Sequence, residues 1–129
     1  MPDLLLGQTL RFDGDPFGRG PGVARHTRQG AVLVAGGLIA AVGTADALRA
    51  AHPQARVHDY GAALISPGFV DAHAHYPQTA IIASWGKRMI DWLDTYTFPE
   101  ESRFGDAAHA TQAAETCLDL MLANGTTTV

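Results

Sequence analysis

The stretch SPGFVDAHAHYPQ, residues 66–78, constrains the fold more than any other part of the chain. It opens on a Pro-Gly turn, runs through apolar residues, and ends with His73 and His75 separated by one alanine. The spacing predicts a strand over 64–75. Alternate side chains of a strand share a face, which would set Asp71, His73 and His75 on one side of it. Imidazole nitrogens delivered in pairs from a stiff backbone suit zinc and related divalent ions, which they ligate at about 2.0–2.1 Å. Asp71, one pleat deeper, could accept a ligand N–H or hold nearby backbone in place. A His-x-His pair also arises by chance in a chain with six histidines, so the context matters.

Ahead of this stretch, residues 1–65 read as a small, mostly β module. LLLGQTLRF (4–12) reads as a strand and the Gly/Pro-rich residues 13–22 as a loop. AVLVA and LIAAVG flank Gly36-Gly37, a pair suited to a tight hairpin turn. Thr44 is placed to cap a short helix through ADALRAAH, closed by Pro53, and ARVHDYG reads as a further strand.

Beyond residue 65 the pattern changes to strand, helices, strand. Met89, Ile90, Trp92, Leu93 and Tyr96 are spaced for one face of a helix, and Pro99 restarts the chain with Glu100 and Glu101 in a new first turn. Ala110, Ala113, Ala114, Cys117, Leu118, Met121 and Leu122 give a helix over 106–123, with Asn124-Gly125 as its stop. The β-branched TTTV at the end reads as a strand beginning. One βα unit with a second strand begun fits a β/α barrel, which takes eight such units and about 250 residues. The 129 residues are therefore expected to be the N-terminal part of a longer protein. In such barrels the active site lies at the C-terminal ends of the strands, where His73 and His75 fall.

The bulk composition excludes other classes. A net charge of −4 argues against a nucleic-acid-binding footprint. No apolar run approaches the roughly 20 residues a membrane helix needs, and the first residues lack a signal peptide's charged start and apolar centre. The lone Cys117 builds no internal disulfide framework and fits a reducing cytoplasm.

PGFVDAHAH resembles the first-strand signature of the amidohydrolase superfamily, metal-dependent hydrolases built on a β/α barrel with an accompanying β-sandwich. Within it, HYPQ (75–78), WLDTYTFPEE (92–101) and NGTTTV (124–129) resemble the guanine deaminases. The resemblance runs from about Pro67 to the end, and residues 1–65 fit the N-terminal half of the sandwich in outline. It implies an α/β fold, with half of a small β-sandwich over 1–65 followed over 66–129 by the first strand, the following helices and the start of the second strand of a β/α (TIM) barrel. It implies His73 and His75 as ligands of one zinc ion per active site, with Asp71 behind them. It implies His75, Tyr76, Pro77 and Gln78 as the strip along which a purine lies, with Trp92 from the following helix nearby. The implied activity is hydrolytic deamination of guanine to xanthine and ammonia in a cytoplasmic homodimer. The proton shuttle and remaining ligands would come from later strands, so the 129 residues alone are expected to be inactive. The alternatives are a related aminohydrolase or chlorohydrolase acting on another heterocycle, or a non-catalytic scaffold.

Several residues have plainer readings. Trp85, Trp92, Tyr96 and Phe98 at helical spacing read as core packing more readily than as a pocket wall. Lys87-Arg88 read as a solvated face, Glu100-Glu101 as helix capping rather than a general base, and Cys117 as core. His26, His52, His58 and His109 read as surface or incidental residues.

Overall fold

The computed structural model describes residues 1–86 and 88–129, so the reading of Lys87 as a solvated residue lies outside the described residues. The chain divides into two compact units, Met1–Pro67 and Gly68–Val129.

In the first unit, strands β1 (Asp3–Phe12), β2 (Ala24–Ala35), β3 (Leu38–Thr44) and β4 (Arg56–Ile65) form one sheet in the order β3-β2-β1-β4. β1 pairs antiparallel with β2 and parallel with β4. Gly36 and Gly37 make the β2–β3 turn with φ of 61° and 79°, values that a side chain would oppose and glycine accepts. A short helix α1 (Pro16–Arg19) falls inside the predicted loop, capped by the Asp15 carboxylate, which accepts from the Phe17 N–H. Helix α2 (Ala45–Ala51) begins where Thr44 Oγ1 accepts from the Ala47 N–H. Alternation along β1 sends Leu4 and Leu6 to one face, opposite Leu33 and Ala31 of β2. These four are buried, and Ala45 and Leu48 of α2 with Ala41 and Ala55 pack against them. Burying a leucine side chain of this kind stabilises by about 1.5–3 kcal/mol. Asp3 ties the parallel pair together, accepting from Arg56 Nε at 2.6 Å and from His58 Nε2 at 2.7 Å.

The second unit holds a parallel pair, β5 (Phe69–Val70) and β6 (Thr126–Thr128), joined through helices. A 3-10 segment spans Tyr76–Ile81. Then α3 (Met89–Trp92), a π-helical turn (Leu93–Thr97) and α4 (Phe98–Glu101) follow without a break, and α5 (Ala107–Ala123) leads back to β6. Two parallel strands with such a helical excursion between them are a βα unit of an α/β fold.

Several expectations differ from the structure. The predicted strand over 64–75 is not one strand: β4 carries residues 64–65, and β5 stops at Val70. The reason lies in Asp71, whose Oδ1 accepts the His73 N–H at 3.0 Å. Such an Asx turn closes a local loop that competes with the extended ladder. Pro99 opens α4 with Glu100 and Glu101 in its first turn as expected, but α4 continues directly from a π turn that the sequence did not mark. The Phe98 N–H bonds the Leu93 carbonyl, five residues back, and this wider turn makes room for a proline that lacks an N–H and crowds the preceding turn. Core packing fails for Trp85, which is 78% exposed, and for Phe98, which is 53% exposed, while Trp92 and Tyr96 are half-buried. On α5, Cys117 is buried as expected, yet Leu118 and Leu122 of its predicted apolar face are exposed.

Candidate metal and substrate site

The site is assembled just past the C-terminal end of β5. The Asp71 N–H still donates to the Thr128 carbonyl at 2.9 Å, so the ladder fixes the backbone up to that residue. The Asx turn then bends the chain, and the bend aims the imidazoles at one point. His73 Nε2 and His75 Nε2 lie 2.7 Å apart, with ring centroids 4.9 Å apart. The rings converge although the strand expected to align them has ended.

This donor set fits a divalent cation. Two nitrogens each 2.0–2.1 Å from a tetrahedral centre stand about 3.3 Å apart, so the rings need separate by only about 0.6 Å to share an ion. Both rings are exposed, and no deep burial opposes that movement. Among the described residues no group of three or more His, Cys, Asp or Glu could hold a metal. The pair could supply two of the four positions of a tetrahedral shell.

Beside it lies a cleft of about 420 Å³ lined by His75, Gln78, Thr79, Ser84 and Trp92, with Ile81, Ile82, Cys117 and Met121 as its apolar wall. That volume falls within the range of small-molecule pockets, which combine apolar walls with a few polar groups. The cleft brings together His75, Gln78 and Trp92. Tyr76 is not among its walls: it lines a separate apolar hollow with Ala74, Ala114 and Leu118, and its ring meets Phe104 edge-on at 5.6 Å. Pro77 lies in the first turn of the 3-10 segment, half-buried.

Two acidic residues do something that the capping reading missed. Glu101 Oε1 accepts from Gln78 Nε2 at 2.9 Å. Glu100 is only 7% exposed and accepts from Arg103 NH1 at 2.7 Å and from His109 Nε2 at 3.0 Å. The Arg103 guanidinium, and then His109, hold the Glu100 carboxyl below its ordinary range against the opposing effect of burial. His109 is therefore no incidental surface residue; its ring also stacks edge-on against Phe104 at 4.9 Å. The i,i+3 spacing of Glu100 and Arg103 was a legible signal for one of these pairs. Nothing local in the sequence marks the Glu101–Gln78 contact.

Residues 64–129 match the amidohydrolase family, and residues 30–55 match an imidazolonepropionase-like composite domain of bacteria. The chain belongs to the amidohydrolase family. It is 44% identical over 81 residues to a probable guanine deaminase of Deinococcus radiodurans, covering 63% of this chain and 18% of that protein. It is 39% identical over 100 residues to a 5-methylthioadenosine/S-adenosylhomocysteine deaminase of Nitratidesulfovibrio vulgaris, covering 76% of this chain and 22% of that one. The chain thus spans about a fifth of the length of these relatives. Its structure superposes on guanine deaminase from Bradyrhizobium japonicum with a TM-score of 0.89 at 32% identity, over 98% of this chain and 28% of the other. Guanine deaminases of this family are generally metal-dependent. Among the described residues no helix is long and apolar enough to cross a membrane.

Proposed function

We propose that this chain supplies the first-strand portion of a zinc-dependent guanine deaminase, which hydrolyses guanine to xanthine and ammonia. One observation carries the reading: the converging nitrogens of His73 and His75 border a cleft that Gln78 and Trp92 also line. The likeness to guanine deaminases in sequence and structure supports it. Residues 1–65 would form the sandwich portion and residues 66–129 the first barrel strand, its helices and the start of the second strand.

His73 and His75 would hold the zinc, through the nitrogens that already face each other. Zinc, when bound, lowers the pKa of water toward 7 and polarises the reacting carbon. Asp71 keeps the His73 backbone in place through its Asx turn. Gln78 offers an amide donor and acceptor to the polar edge of a lactam ring. Trp92 gives the ring an apolar wall, while Tyr76 and Pro77 shape the strip rather than face the cleft. The same resemblance carries the reading of a cytoplasmic homodimer.

A second reading has its own support in the match to the 5-methylthioadenosine/S-adenosylhomocysteine deaminase. There the same zinc and cleft would serve an aminopurine nucleoside. A turnover assay on the full-length, zinc-loaded protein separates the two. Release of xanthine and ammonia from guanine supports the first, and deamination of the nucleoside with guanine untouched supports the second.

A further inference from the structure

The hydrogen bond from Gln78 Nε2 to Glu101 Oε1 joins residues 23 apart in sequence. Gln78 lines the cleft beside His75 and Trp92, and both members of the pair are half-buried. An ionised carboxylate carries acceptors only, so the NH₂ end of the amide is the end that faces it. A free glutamine amide presents its donor and acceptor in either order, because a half turn about its last torsion exchanges them. Glu101 removes that freedom. One N–H is committed to the carboxylate, and Oε1 with the second N–H is left in a fixed order. A heterocycle edge carries its own donors and acceptors in fixed order, so an amide turned the other way would set donor against donor.

Glu101 is itself firmly held. It ends α4 directly after Glu100, whose buried carboxylate binds Arg103 and His109. The anchor for Gln78 is thus a helix end tied down on its neighbouring residue.

We infer that Glu101 is a positioning residue: it sets the polarity of the Gln78 amide and so selects rings that bring an N–H to Gln78 Oε1. This rests on Gln78 as a substrate contact, as proposed above. The test is a double-mutant cycle in the full-length protein, with E101Q, E101A, Q78A and Q78A/E101A assayed on guanine. E101A is expected to raise KM about tenfold with a much smaller change in kcat, as for loss of one ordered hydrogen bond, and E101Q, whose amide oxygen can still accept from Gln78 Nε2, by less. In the Q78A background E101A should change KM by less than about twofold, since coupled residues are not additive. Additive losses, or an unchanged KM in E101A, would overturn the inference. E101Q preserves the shape of Glu101 and is expected to melt like the unmodified protein; if it fails to fold, the contact is a stability element and the inference falls. If guanine is inert and another ring is deaminated, the guanine assignment fails, and the same cycle on that ring decides the role of Glu101 by itself.

Discussion

His73 Nε2 and His75 Nε2 face each other at 2.7 Å, at the end of a strand too short to contain either residue. What aligns them is a bend, closed by the Asp71 carboxylate on the His73 N–H. Rigidity at this point comes from an Asx turn and from the short ladder beneath it, in place of a long pleated strand.

The ladder beneath depends on Gly68. A Cβ there would collide with Thr127 Oγ1 and stand 2.7 Å from Thr127 Cβ, and a threonine side chain on a strand has little room to swing away. Gly68→Ala is expected to destabilise the second unit by roughly 1–3 kcal/mol, the usual range for overpacking. A urea titration read through Trp85 and Trp92 fluorescence measures it. An unchanged midpoint would mean that β5 and β6 do not approach as closely as described.

Acid should loosen the first unit through Asp3. Hydrogen bonds from Arg56 and then His58 lower its carboxyl from 3.8 to about 2. A carboxyl depressed in the folded state lends stability that is complete above the unfolded value and is lost as pH falls through the folded one. The Asp3 contribution should therefore fade between about pH 4 and about pH 2. Glu100, also held down, gives the second unit a like loss on the acid side. In Asp3→Asn the urea midpoint should be lower at neutral pH and should fall less steeply across that window. Parallel curves for the two proteins would remove Asp3 from the account.

Removing the Gln78 amide tests substrate recognition. Gln78→Ala in the full-length protein is expected to lower kcat/KM for guanine about 10- to 100-fold, the cost of leaving a buried polar edge unpaired. The preference for guanine over a pterin, triazine or pyrimidine should narrow with it. A preference that survives the substitution intact would favour a different heterocycle as the natural substrate.

Much of this was legible in the chain. Gly36-Gly37, Thr44 and Gly125 mark their turns and caps by local chemistry that tertiary packing does not override, and α5 follows from its apolar spacing. The His-x-His pair and Gln78 were visible for the same reason, being contiguous. The length of the strand before them was not. The polar group expected beneath the two histidines, Asp71, turned out to end the ladder, which alternation alone does not reveal. The π turn at Leu93–Thr97, which joins α3 to α4 ahead of Pro99, was not legible either. Glu101, His109 and the outward turn of Tyr76 escaped because each depends on a partner distant in sequence. Trp85 and Phe98 looked like core because periodicity reports an apolar face without saying whether anything covers it.

Zinc content measured by elemental analysis, for the full-length protein and its His73→Ala/His75→Ala variant, bears most directly on the central claim that the two imidazoles share one cation. The account predicts one zinc per chain in the unmodified protein and less than about a tenth of that in the variant, since two of about four ligands are gone. A variant that folds and keeps its full complement of zinc would contradict it.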